Sequence, residues 1–213
     1  MMRKLRPGDF QRMPWKDGGG ETLQIAIGPA GATVDNFDWR VSMAHVAAAG
    51  PFSAYPGIDR SLAVLSGQGL KLVTASGAAT QETLLTPESP AYSFTGEAPA
   101  SATLVADDPV VDFNVMTRRT RFRHSLRHLN LPDPMQIGAD VLVLYCIEGR
   151  LDCHDLEDTS ASSLPLAAGE ALVAQPRPMP GARRAALLRL EPRGTEHARL
   201  WVVQLCSVSR TDV

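Results

Sequence analysis

Apolar and polar residues alternate singly over many short stretches of this chain. In "TLQIAIG", Leu23, Ile25 and Ile27 alternate with Thr22, Gln24 and Ala26, the period of two that a strand requires. Strand-like runs recur in "WRVSMAHV", "SLAVLSG", "LKLVTA", "AYSFTG", "ATLVA" and "VVDFNVM". They return in "VLVLYCIEG", "RLDCHD", "EALVAQP", "AALLRLEP" and "RLWVVQLCSV". Long helical periodicity is scarce. Sixteen prolines and seventeen glycines punctuate the chain, and such residues set turns. Many short strands separated by turn signals predict an all-β sandwich or barrel.

The pattern also repeats at long range. "LAVLSGQGLKLV" and "LVLYCIEGRLDC" each read as an apolar strand, a glycine turn and an alternating strand, with Gly67 and Gly149 at the turns, 82 positions apart. Downstream, "LLTPESPAYSFTG" matches "LPLAAGEALVAQP", where Ser89 falls against Glu170 at a spacing of 81. Each half closes with an apolar strand, "VVDFNVM" or "RLWVVQL". This order resembles a cupin half. It predicts two cupin-like double-stranded β-helix barrels in one chain, at residues 1–118 and 119–213. Between the halves, "RTRFRHSLRHLNLP" is basic and polar and reads as a connector with a short helix.

Three consecutive glycines, Gly18–Gly20, follow Lys16 and Asp17. A phosphate-cradling glycine loop needs a helix N-terminus behind it. Here a strand follows, so the glycines instead allow a tight backbone path or a close approach.

A chain of 213 residues can bury roughly 70 % of its unfolded surface without staples. Net charge is −2, with no nucleic-acid footprint. "MMRKLRPGDF" lacks an apolar signal region, and no apolar run reaches membrane-spanning length. Cys146, Cys153 and Cys206 form no CxxC pair, and a reduced cytoplasmic protein is the expectation.

Four ordered stretches carry a resemblance: "WKDGGGET" from Trp15, "FDWRVS" from Phe37, "GPFSAYPGIDR" from Gly50 and "DFNVMTRR" from Asp112. Together they resemble the HutD/Ves family over most of residues 10 to 120. The resemblance implies a bicupin fold. It also implies an association with bacterial histidine utilisation, as a small-ligand-binding modulator rather than an enzyme. Asp17 stands where the family usually has asparagine, and Ala49 where an acidic residue commonly precedes Gly-Pro-Phe-Ser.

Alternation places Thr22 with Gln24, Arg40 with Ser42, and Asp112 with Asn114 and Met116 on shared strand faces. Pattern alone favours these faces outward in water; the resemblance favours them inward. A buried Arg40 then needs a carboxylate partner, either Asp112 or a ligand. On this reading Arg40 and Arg60 are anion clamps. Thr22, Ser42, Ser53 and Asn114 orient the ligand, and Trp15, Phe52 and Tyr55 form apolar walls. Lys16, Asp59, Asp112 and Met116 complete the candidate site. Its expected ligand is a small carboxylate, and the resemblance suggests urocanate or formylglutamate.

Metal chemistry is the main rival. Most catalytic cupins hold a divalent ion with a His-x-His pair, a glutamate and a further histidine. The five histidines, His45, His124, His128, His154 and His197, include no His-x-His. His124 and His128 have the i, i+4 spacing of a helical clamp, but they lie in the basic connector. No metal or other cofactor is expected. No Gly-x-Ser-x-Gly elbow occurs either. The alternative function is a cupin isomerase or lyase acting on a small organic acid, with Asp59 or Asp112 as base. A protein-interaction module using the "SFTGEAPASAT" side has no further support. The C-terminal "RLWVVQLCSV" suits the core or, less readily, the seam of a homodimer.

Overall fold

The protein is described by a computed structural model covering residues 1–15, 20–77, 79–158, 163–176, 185–194 and 197–208. Among these residues the regular structure is strand, apart from two single 3-10 turns at Pro7–Asp9 and Val105–Asp107. No helix among them is long and apolar enough to cross a membrane.

In chain order the strands begin with β1 (Met2–Leu5), β2 (Gln11–Pro14), β3 (Gly20–Gly28), β4 (Trp39–Val46) and β5 (Gly50–Pro51). Next come β6 (Ile58–Ser66), β7 (Leu70–Ser76), β8 (Ala79–Leu85), β9 (Tyr92–Thr95), β10 (Ala100–Leu104) and β11 (Val110–Arg118). The second series is β12 (Phe122–Leu131), β13 (Met135–Ala139), β14 (Val141–Glu148), β15 (Arg150–Asp155), β16 (Leu164–Ala167), β17 (Ala171–Ala174), β18 (Ala186–Pro192) and β19 (Ala198–Ser207).

The chain forms two compact units. Gln11–Arg123, with Val208, make the first unit, and Met1–Phe10 with His124–Ser207 make the second. The opening ten residues, which precede the first half in the sequence, therefore cluster with the second unit. They do so because β1 pairs antiparallel with β17.

The first unit has a six-stranded sheet in the order β2-β3-β4-β11-β6-β9 and a four-stranded sheet β5-β10-β7-β8. In the second unit the orders are β12-β19-β14-β17-β1 and β13-β18-β15-β16. Adding eight to each strand number turns β4-β11-β6-β9 into β12-β19-β14-β17, and β5-β10-β7-β8 into β13-β18-β15-β16. The repeat in the sequence is thus a repeat of topology.

Its punctuation repeats too. Gly67 and Gly149 both have positive φ, at 93° and 77°, a conformation that glycine adopts without Cβ strain. A Cβ at Gly67 would lie 2.6 Å from the Pro109 carbonyl oxygen, and one at Gly149 would lie 2.7 Å from that of His197. Each glycine thus passes the residue just before its unit's last strand. In the Thr86–Ser89 turn, Thr86 N–H donates to Ser89 Oγ at 3.0 Å. At Ala167–Glu170, Ala167 N–H donates to Glu170 Oε2 at 2.9 Å.

Among its described residues, the second unit buries an aliphatic cluster drawn from both of its sheets, including Leu142, Leu144, Leu151, Leu172, Leu188, Leu200 and Val202. The described interior of the first unit includes two clusters. One contains Ala44, Leu62, Val64, Leu70, Leu72 and Val110, and the other contains Phe37, Ile58 and Met116.

The connector departs from expectation. "RTRFRHSLRHLNLP" contains no helix, and β12 runs through it from Phe122 to Leu131. Phe122, His124, Leu126 and His128 are half-buried, while Arg123, Ser125 and Arg127 are exposed. The arginines raise the polarity of the stretch, yet Arg123 and Arg127 fall with Ser125 at every second position of the strand, as one wet face requires. On a strand, the helical metal-clamp spacing of His124 and His128 loses its meaning.

Candidate functional site

The candidate residues come from strands β3, β4, β6 and β11 of the six-stranded sheet, with two loops and β9 at the margin. Register decides which side chains meet. Met116 lies opposite Arg40 on β4 and Arg60 on β6; Asn114 lies opposite Ser42 and Leu62; Asp112 lies opposite Ala44 and Val64. On the other side of β4, Gln24 lies opposite Ser42, and Thr22 opposite Ala44. Directly opposed residues share a sheet face, so all these side chains share the face of the core residues Ala44, Leu62 and Val64. The polar faces point inward. They make a polar belt between the two apolar clusters.

Arg40 is 6 % exposed and Arg60 3 %. Arg40 Nε donates to Gln24 Oε1 at 2.9 Å, and its Nη2 lies 3.6 Å from Met13 Sδ. Gln24 is held in turn, its Nε2 donating to Gln11 Oε1 at 3.0 Å. Arg60 Nη1 donates to the Ser53 carbonyl at 3.3 Å. Around its guanidinium stand three rings, Phe94 at 5.0 Å, Phe52 at 5.1 Å and Tyr55 at 5.8 Å. Aromatic faces attract a cation, so this cage fixes the arginine without neutralising it. Burial lowers both guanidinium pKa values, and Asp112 opposes that shift at Arg60. Guanidinium nonetheless stays charged across the physiological range. Among the described residues, neither arginine has a carboxylate within ion-pair distance.

Asp112 is 1 % exposed, and its Oδ1 accepts the Ala44 N–H at 3.2 Å. Burial pushes its carboxyl up to about 7, against the pull of Arg60 and of the Ala44 hydrogen bond. Its Oδ2 has no hydrogen-bond partner among the described residues; neither have Asn114 Oδ1 and Arg60 Nε. The belt therefore sets two guanidinium charges against one carboxyl that titrates near neutrality.

Other candidates fall at the edge or outside. Trp15 Nε1 donates to Thr22 Oγ1 at 2.9 Å, which pins the indole against β3. Tyr55 packs edge-on to Phe37 with centroids 6.4 Å apart. The Ser53 residue is exposed and meets Arg60 only through its carbonyl. Lys16, Asp17, Gly18 and Gly19 lie outside the described residues. At Gly20, a Cβ would collide with the His45 carbonyl of β4, so this glycine serves a close strand–strand approach.

Asp59 does not join the others. It lies opposite Thr117 and thus on the reverse face from Arg60. There it pairs with Arg119 at 2.8 Å, and Arg119 also holds Glu97. Neighbours on a strand point to opposite faces, so Asp59 and Arg60 cannot serve one site. For the same reason Asp59 and Asp112 do not form an acid–base pair.

Sequence reasoning left Gln24, Gln11 and Phe94 out of the site. Gln24 was legible, since it alternates with Ile25 on the same face as Thr22. Phe94 enters through the long-range pairing Arg60↔Phe94, which no local pattern announces.

On β14 and β19 of the second unit, the equivalents of Arg60, Asn114 and Asp112 are apolar, and only that of Met116, Gln204, is polar. Arg60 opposite Met116 becomes Leu142 opposite Gln204; Leu62 opposite Asn114 becomes Leu144 opposite Val202; Val64 opposite Asp112 becomes Cys146 opposite Leu200. Leu142, Leu144, Cys146, Leu200 and Val202 are fully buried in that unit's core. Along β14 and β19 the second unit thus has no charged counterpart to Arg60 or Asp112. Among the described residues, no three His, Cys, Asp or Glu side chains converge on a metal-sized site.

Paired antiparallel sheets with this order define the cupin-like class of β proteins. An oxalate decarboxylase from Lactobacillus farciminis shares the fold, with a TM-score of 0.64 at 8 % identity over 98 % of this chain and 88 % of that one. Residues 8–192 match the HutD family, and the chain belongs to it. A 21.2 kDa protein of Pseudomonas putida, described as lying in the hutC 3′ region, is 30 % identical over 71 % of this chain and 76 % of its own. The crystal structure of a conserved protein of unknown function from Pseudomonas aeruginosa PAO1 aligns with a TM-score of 0.81 and 30 % identity, covering 97 % and 100 % of the two chains. HutD from Pseudomonas fluorescens SBW25 aligns with a TM-score of 0.75 and 23 % identity, covering 98 % and 100 %.

Proposed function

We propose that the chain binds a small carboxylate-bearing molecule on the inner face of its first unit and, as a non-enzymatic cytoplasmic cupin, modulates histidine utilisation. Each unit is read as one cupin barrel, a reading supported by the shared strand order. One observation carries the ligand class. Arg40 and Arg60 are both buried, and among the described residues both are held by neutral groups alone. Asp112 attracts Arg60 without a direct ion pair; a buried charge with no directly paired counter-charge costs several kcal/mol, and a ligand carboxylate offsets that cost. The guanidinium fork suits two-oxygen anions. Membership of the HutD family, and the hutC neighbourhood of the P. putida relative, favour acids of histidine breakdown such as urocanate or formylglutamate.

The test is a thermal-shift titration of metal-free protein with urocanate, formylglutamate, histidine and glutamate, repeated on Arg60→Ala. A ligand at about a hundredfold its Kd stabilises the fold by about 2.7 kcal/mol. The expected result is stabilisation of the wild type by one acid and none of the variant. Absence of any effect from all four acids, with stabilisation by a divalent ion alone, overturns the reading.

The Asp112 carboxyl, pushed up to about 7, supports a second reading, a cupin isomerase or lyase with Asp112 as base, because a general base works best with a pKa near the working pH. Following the bound acid by NMR separates the two. Recovery of unchanged acid after prolonged incubation favours binding; a new product favours the enzyme.

A further inference from the structure

We infer that the site selects among carboxylates for those that also carry an N–H donor, which Asp112 and Asn114 recognise. The inference rests on the carboxylate reading above and specifies its ligand further. A site that bound simple anions would need only donors. This one presents buried acceptors as well: Asp112 Oδ2 and Asn114 Oδ1 are both solvent-inaccessible atoms without a hydrogen-bond partner among the described residues. Buried acceptors are satisfied in the great majority of native structures, and two together on a recognition face point to a donor brought by the ligand.

The layout separates the two kinds of contact. Arg40, Met116 and Arg60 form one cross-strand row, and Ser42, Asn114 and Leu62 form the next row on the same face. Two residues along a strand span about 7 Å, so the anion-binding row and the Asn114 row are one small molecule apart. Asp112 lies two residues further on. A molecule whose carboxylate meets the arginines therefore extends along β11 with its N–H toward Asn114 and Asp112. Azole carboxylates and N-acyl amino acids have this form. Short-chain monocarboxylates and plain dicarboxylates do not. Asp112 keeps its Oδ1 engaged with Ala44, which leaves Oδ2 for the ligand. The asparagine side chain cannot change charge, so its part in recognition does not vary with pH.

Matched pairs of acids provide the experiment. Urocanate is compared with 3-(3-furyl)acrylate, which keeps the acrylate but has no ring N–H, and N-formylglutamate with glutarate, which keeps both carboxylates but has no amide. Calorimetric titration of the wild-type chain is expected to show the N–H member of at least one pair binding tenfold or more tightly, since a site with buried polar groups discriminates against an analogue that leaves them unpaired. Asn114→Leu is expected to bring that ratio down toward one. Equal binding within threefold of both members of both pairs overturns the inference and leaves the carboxylate reading standing. If no acid binds at millimolar concentration, the carboxylate reading fails and this inference fails with it. The wild-type ratio needs no variant, so a poorly folding Asn114→Leu does not blunt the test.

Discussion

Arg60 and Leu142 hold the same register position in two sheets that share the order of four strands, the first opposite Met116 on β11 and the second opposite Gln204 on β19. One is a caged guanidinium and the other a fully buried aliphatic. Calorimetry with an acid that binds is therefore expected to give one ligand per chain. Arg60→Leu copies the second unit's choice into the first. It is expected to abolish binding while leaving stability unchanged or raised by up to about 2 kcal/mol, because apolar replacement of a buried charge is often neutral or stabilising. Two ligands per chain, or a strongly destabilised Arg60→Leu, contradicts this account.

Asp112 gives stability a pH dependence of definite sign. Its carboxyl, ordinarily near 3.8, is raised to about 7 by burial. The folded chain therefore holds a proton that the unfolded chain has lost, and stability falls as pH rises through this interval. The contribution is complete below the unfolded value and gone above about 7. Such a shift corresponds to about 4 kcal/mol. Asp112→Asn keeps an acceptor for the Ala44 N–H and removes the charge. Urea unfolding at pH 5 and pH 8 should show this part of the slope in the wild type and lose it in the variant.

Gly67 and Gly149 test the repeat. Alanine at Gly67 would put its Cβ 2.6 Å from the Pro109 carbonyl oxygen and 2.9 Å from Val110 Cγ1, at a φ of 93°. Gly31 also has positive φ, 81°, but a Cβ there meets nothing within 4 Å. The expectation is a loss of about 1 kcal/mol for Gly31→Ala, from conformational strain alone. Losses of about 3 kcal/mol or more are expected for Gly67→Ala and Gly149→Ala, where a backbone clash adds to the strain. Similar midpoints for all three variants in denaturant would sink the argument.

The cysteines differ sharply in environment. Burial pushes the Cys146 thiol up to about 11 and Cys153 up to about 12, whereas Cys206 is exposed. Thiolate is the reactive form. Titration with an aromatic disulfide reagent at pH 8 should label one thiol quickly in the native chain and three after unfolding.

Much of this architecture was legible because alternation and turn glycines are local signals. The 82-residue spacing of Gly67 and Gly149 marks turns that prove topologically equivalent. "RTRFRHSLRHLNLP" misled because its arginines suggest a solvated connector, although they mark the wet side of β12. Asp59 was grouped with Arg60 by proximity in sequence, when strand parity already sends the two to opposite faces. Whether the polar faces pointed in or out could not be read from alternation, since a period of two is the same either way round. The cage of Phe52, Tyr55 and Phe94 around Arg60 needed the pairing of β6 with β9, a contact set by tertiary structure.

The polar belt between the two apolar clusters has a wider consequence. A small β domain that fills its interior with aliphatic side chains gains rigidity but has nowhere to seat a charged guest. One that opens its interior to charge gives up part of its cohesion. Duplication within a single polypeptide relaxes that conflict. The copy with Leu142 and Leu144 remains a conventional oily core, and its twin is free to drift toward recognition. New binding specificities in such a chain are then most accessible through substitutions on β3, β4, β6 and β11, with the aliphatic copy left as it is.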